Sequence, residues 1–227
     1  MSQLSSLNTE LGNRFYLHLS AIDSDVTPEQ AQILWQDIAA HYSEHQRAYH
    51  TLEHIEQLFV QFESIQHVLS EPHIIALAVY YHDVIYDPTR SDNELRSAEY
   101  AVDALTPYLS DEQCQHIYTL IMMTANHQID TLIDNDKYND AAYLLDMDLS
   151  VLGTTWSTYQ QYANAIRQEY AHVLDTQYRD GRTAVLEGLL AHPRLYLTDY
   201  YYELLENQAR DNIKREIHSL LCSQLYK

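Results

Sequence analysis

Pro72-His73-Ile74-Ile75-Ala76-Leu77-Ala78-Val79-Tyr80-Tyr81-His82-Asp83 is the stretch on which the fold turns. Proline suits the first turn of a helix, where its missing N–H would have no partner anyway. From Ile74 to Tyr81 the stretch is apolar on every face of such a helix, and a helix without a polar face belongs at the centre of a domain. The run is far shorter than the ~20 residues that span a bilayer, so it predicts a core helix and no transmembrane segment. Upstream, Ile55, Leu58, Phe59, Phe62 and Ile65 recur at helical spacing. Thr27-Pro28-Glu29-Gln30 opens a further helix with a cap, a first-turn proline and a Gln at the capping-box position, followed by a stripe of Ala31, Leu34, Trp35, Ile38 and Tyr42. Ser91 with Glu94 and Ser110 with Gln113 predict two more starts, for helices over residues 92–105 and 111–124.

Residues 126–139 are rich in polar clusters and read as a loop, followed by a helix over about 140–152 that stops at Gly153 in a left-handed cap. Three helical patterns, near 155–174, 183–191 and 199–225, finish the chain. With only 4 Gly and 5 Pro in 227 residues, turn-rich sheet folds and flexible linkers are excluded, and the expected fold class is all-α. No repeat or linker marks a boundary, so a single domain over 1–227 is expected, with its functional core at about 47–153 and C-terminal helices over 155–225. The 20 Tyr against 3 Phe read as core margin, where a ring is buried and its hydroxyl stays wet.

A net charge of −20 repels phosphate backbones and anionic lipid, which argues against nucleic-acid polymers and membranes as partners. The N-terminus lacks the basic and continuously apolar pattern of a secretory signal. Cys114 and Cys222 form no metal or redox spacing and read as unpaired thiols, so a cytoplasmic enzyme or binding protein is expected.

His82-Asp83 offers an imidazole nitrogen and a carboxylate from one turn, but with 13 His chance supplies about one such doublet. Its context raises it. Tyr49-His50-Thr51-Leu52-Glu53-His54 puts two histidines four apart on one helical face, and Leu145-Asp146-Met147-Asp148 adds carboxylates on a later helix. Such a nitrogen and oxygen set suits a catalytic divalent ion; the bland alternative is a buried hydrogen-bonded cluster.

These segments resemble the HD superfamily of metal-dependent phosphohydrolases, whose signature is His, then His-Asp, then Asp, on an all-helical bundle. YHTLEH is similar to a segment of cyclic nucleotide phosphodiesterases in which the first His acts as general acid and the second binds metal, and MDLS is similar to the segment that holds their last metal-binding Asp. The strings RAYHTLEHI, AVYYHDVIYDP, DNELRSAEYA and LLDMDLSVLG look like a small subfamily of predicted HD-type phosphohydrolases, from Arg47 to the C-terminal region. No HD-GYP motif follows. The resemblance implies His54, His82, Asp83 and Asp148 as ligands of a divalent metal ion (Mn, Ni, Co, Mg, Fe or Zn), with Asp146 as a cap or a residue that orients a ligand. It leaves His50 as general acid, ligand or surface residue, and gives Asp83 a share in handling the proton of the attacking water.

Asp87 is a candidate for orienting that water, and His127 is either a ligand for a second metal or a loop residue. Basic residues are scarce, so Arg47 is the leading candidate to meet a substrate phosphate, ahead of Arg90, Arg96 and Lys137. The expected activity is hydrolysis of a phosphate monoester or diester in a nucleotide or related small metabolite. The alternatives are an HD-fold di-iron oxygenase, which would recruit His127, and a non-catalytic nucleotide-binding regulatory module.

Overall fold

The computed structural model describes residues 3–129 and 135–222, and among them the chain forms ten α-helices and no strand. These are α1 (Gln3–Ile22), α2 (Pro28–His41), α3 (Leu52–Ile65), α4 (Pro72–Tyr81), α5 (Asn93–Leu105), α6 (Asp111–Thr124), α7 (Asn135–Asp148), α8 (Trp156–Glu169), α9 (Asp175–Ala191) and α10 (Asp199–Cys222). Short 3-10 turns follow α3 and α7, at Gln66–Val68 and Leu149–Gly153. No described helix is long and apolar enough to cross a membrane. The chain divides into two compact units, Met1–Met147 and Asp148–Lys227.

In the first unit α4 is central, touched by α1, α3, α5 and α6, with every residue from Ile74 to Tyr81 buried. Each fully buried aliphatic side chain here stabilises the fold by about 1.5–3 kcal/mol. Tyr80 fixes α1 on α4: its hydroxyl donates to the Leu11 carbonyl at 2.8 Å, and its ring meets Phe15 edge-on, with centroids 5.2 Å apart. Gly12 allows α2 to pack closely on α1, since a Cβ there would lie 2.5 Å from the Trp35 ring.

α7 is registered against α4 by one buried carboxylate. Asp140 accepts hydrogen bonds from the Ser70 and Glu71 backbone amides at 2.9 and 2.7 Å, supplying from another helix the cap that Glu71 does not provide. Asp148 lies eight residues further along α7, about 12 Å at helical rise, which carries it towards the other end of α4, where His82 sits.

In the second unit, the short turn after α7 is held to α10. The Asn212 amide donates to the Leu152 and Thr154 carbonyls, both at 2.8 Å. Buried Glu206 accepts from the Leu195 and Tyr196 amides and from Arg210, and Arg210 in turn holds the carbonyls that end α9.

Several local expectations differ from the structure. Both the Thr27/Gln30 and Ser110/Gln113 capping boxes form, but Ser91/Glu94 does not: α5 begins at Asn93 after Asp92, which makes no side-chain cap. Gly153 is not left-handed; it is required instead by contact, because a Cβ would lie 2.5 Å from Leu205. The helix expected over 140–152 spans 135–148 and tightens into a 3-10 turn, so part of the expected loop is helical, while residues 130–134 lie outside the described ones. α9 starts at Asp175 and runs through Gly181, where a side chain would meet nothing. Tyrosine is core as well as margin: Tyr42, Tyr80, Tyr81, Tyr159, Tyr196 and Tyr201 are all under 2 % exposed, and Tyr159 and Tyr196 donate to Glu216 and the Leu149 carbonyl.

Candidate metal centre

The helices α3, α4 and α7 carry the sequence-predicted residues. His54 sits in the first turn of α3, His82 caps the C-terminus of α4 with Asp83 immediately after, and Asp148 is the last residue of α7. The His54 and His82 Nε2 atoms face each other at 3.3 Å. Asp83 Oδ2 lies 3.0 Å from His82 Nε2 and 3.9 Å from His54 Nε2. Ligand atoms of His54, His82 and Asp148 fall within 4.8 Å of one another.

The donor chemistry fits a divalent ion. His82 Nδ1 is 2.9 Å from the Val79 carbonyl, which can only accept, so Nδ1 carries the proton and Nε2 presents its lone pair to the cluster. Two imidazole nitrogens and a carboxylate oxygen within 4 Å need a proton or a cation among them, so the set can form a hydrogen-bonded cluster or hold a divalent ion. At metal–nitrogen distances near 2.1 Å, two nitrogens sharing an ion stand about 3.0–3.4 Å apart, which matches the observed 3.3 Å.

Burial differs across the cluster. His54 and His82 are each 2 % exposed, whereas the Asp83 and His50 side chains are 15 % and 17 % exposed. The partly exposed members of the group are thus Asp83, His50 and Asp148. His50 Nε2 is 3.8 Å from Asp83 Oδ2, and its ring packs on Tyr86 with centroids 4.1 Å apart. Tyr49 stands beside both histidines, 5.0 Å from His50 and 4.8 Å from His54.

Arg47 corrects the sequence expectation. Its side chain has no exposed surface. Nη1 donates to the His50 and Asp83 carbonyls at 3.1 and 2.8 Å, Nη2 to the Val84 carbonyl at 2.8 Å, and Nε to Glu44 at 3.2 Å. The guanidinium also lies over the rings of Tyr42 and Tyr86. It is thus a strut that ties the His50 segment to the His-Asp segment, with its donors taken up by backbone carbonyls and Glu44. The weaker candidates are also engaged: Arg90 forms a bidentate pair with Asp92, Arg96 reaches the same carboxylate, and Lys137 faces Glu112.

Asp87 shapes the loop after the doublet. Its carboxylate accepts from the Thr89 amide and hydroxyl, a local turn, and it makes no part of the convergent group among the described residues. Asp146 is buried in α7 at 1 % exposure, two residues from Asp148 and outside that group. His127 follows α6 with φ of 52°, also outside the group. Asn93 and Ser97 escaped sequence reasoning. Asn93 exchanges hydrogen bonds with the Asp87 backbone and Ser97 with that of Ile85, which clamps the loop beyond the doublet. The sequence shows only two polar residues four apart, and nothing in it marks them as buried.

No family model, no curated protein and no solved structure matches this chain.

Proposed function

We propose that this chain is a metal-dependent phosphohydrolase of the HD type, acting on a phosphate monoester or diester bond in a nucleotide or related small metabolite. The observation that carries the reading is the convergence of the His54 and His82 nitrogens with the Asp83 carboxylate beside His50. The sequence likeness and Asp148, brought to the same place by α7, add support. His54, His82, Asp83 and Asp148 would hold a divalent ion, whose chemistry when bound is Lewis acidity towards a phosphoryl oxygen and a lowered pKa for water.

The chain's own residues supply the rest. The Asp83 carboxylate, open on one side, accepts and orients the proton of the attacking water. His50, across from Asp83 and held by the Tyr86 ring, donates a proton to the leaving oxygen. The Arg47 strut keeps these two groups in register, since positioning is worth as much as chemistry in phosphoryl transfer.

The test is a panel of 4-nitrophenyl phosphate, bis(4-nitrophenyl) phosphate and nucleoside mono-, di- and triphosphates, assayed with Mn, Ni, Co, Mg, Fe and Zn. Metal-dependent turnover that disappears in Asp83→Ala supports the reading. Turnover that survives Asp83→Ala, or none with any metal, contradicts it.

A further inference from the structure

Helices α8, α9 and α10 of the second unit border a cleft of about 340 Å³, within the size range in which small-molecule sites begin. None of its residues belongs to the candidate metal centre. α8 contributes Trp156, Gln160, Asn164 and Arg167, the i, i+4, i+8 and i+11 positions of one helical face. Trp156 and Ala163 give this face apolar surface, while Gln160 and Asn164 present exposed amides and Arg167 a guanidinium. A cleft with this mixed lining suits an occupant that has both a polar and an apolar part.

Two cations, Arg167 and Arg179, and two carboxylates, Asp175 and Glu216, line the cleft, but they are not paired with one another throughout. Asp175 pairs with Arg167 at 2.7 Å, and Arg167 also donates to the Tyr170 and Val173 carbonyls. Glu216 is held by Arg182 at 2.9 Å and by the Tyr159 hydroxyl. Arg179 is left over: it lines the cleft from α9, and its buried Nε has no hydrogen-bond partner. Buried guanidinium donors without an acceptor are rare, because the desolvation cost is not recovered. The surrounding unit also tolerates an anion. It carries eight of the chain's 13 Lys and Arg but ten of its 33 Asp and Glu, so nearly all of the net negative charge lies in the first unit.

The geometry points to this cleft as a binding site for a small organic anion, a carboxylate or a phosphate ester, with its anionic oxygens on Arg179 and its polar remainder on Gln160 and Asn164. The site is separate from the proposed hydrolytic centre and does not depend on it.

Calorimetric titration of the full chain carrying Asp83→Ala, which disables the first-unit centre, tests this with three probes: adenosine monophosphate, citrate and inorganic phosphate. At least one organic probe should bind saturably, and Arg179→Gln should weaken it at least tenfold while leaving the circular dichroism unchanged. Arg179→Lys, which keeps the charge but loses the planar fork, should recover part of that loss. Binding of adenosine monophosphate alone assigns the phosphate ester, and of citrate alone the carboxylate. Binding of neither organic probe, or binding that Arg179→Gln leaves unchanged, overturns the proposal. The wild-type chain is titrated alongside, so a defect caused by Asp83→Ala itself is recognised.

Discussion

Arg47→Met removes a guanidinium that ties the His50 segment to the His-Asp turn through their backbone carbonyls, while keeping an apolar stem of similar length. The change leaves the His50, Asp83 and Val84 carbonyls without their donor. Hydrogen bonds from a charged group are worth about 1.5–3 kcal/mol each, so three of them summed would approach the whole stability of a domain. They share one guanidinium and are not additive, and water can reach the half-buried Asp83 side. A buried carbonyl left without its donor costs about 1–3 kcal/mol, and loss of the contacts with Tyr42 and Tyr86 adds to this. With three carbonyls affected, the expected destabilisation is about 3–5 kcal/mol.

Urea unfolding followed by tryptophan fluorescence measures it. Because the chain has 2 Trp, one in each unit, the assay uses a Trp156→Phe background so that Trp35 alone reports on the first unit. Arg47→Lys should fall between wild type and Arg47→Met, since a point charge cannot span three carbonyls. A loss below about 1 kcal/mol for Arg47→Met, the size of a surface ion pair, would refute the strut.

Three further outcomes follow from the geometry. Asp148→Asn should weaken metal binding more than Asp146→Asn in a metal titration, because only Asp148 shares the group with His54 and His82; the reverse order would move the ligand by two positions. His50→Ala should retain near-normal metal yet lose roughly 10²–10⁴-fold in turnover, with a smaller loss on nitrophenyl phosphate, whose leaving group needs less protonation; an equal loss on good and poor leaving groups, with chemistry rate-limiting, would remove the general-acid role. His18, half-buried beside Phe59 and Phe62 and next to His73 and Arg14, is pushed down from 6.5 to about 4 by desolvation first and by those last two neighbours second. The unfolded chain then binds more protons between those values, so stability should fall by roughly 3 kcal/mol as pH drops from about 6.5 to 4. His18→Gln should flatten that slope, and an unchanged slope would show that other groups set it.

What could be read from the sequence was local. The apolar run of α4 and the reciprocal caps at Thr27 and Ser110 depend on residues within a few positions of one another, and they form as expected. α1 was missed although Leu7, Leu11, Phe15 and Leu19 recur every fourth residue and are buried, because the helix has no acidic first turn to announce it. The histidines and aspartates of the centre were legible through motif likeness. Arg47 was not, because its true acceptors include carbonyls 36 and 37 residues later in the chain, and no local pattern tells a scarce cation that it will be consumed by backbone. Asp140 was hidden for the same reason: its role at the start of α4 spans about 70 residues.

Metal content is the most direct measure of the central claim. Wild-type protein, loaded with a divalent metal and freed of excess by gel filtration, should hold about one ion per chain by mass spectrometry. His82→Ala, which removes the nitrogen closest to both His54 and Asp83, should hold less than about a tenth of that. A wild-type chain that binds no metal, or a His82→Ala chain that retains its full complement, would contradict the account.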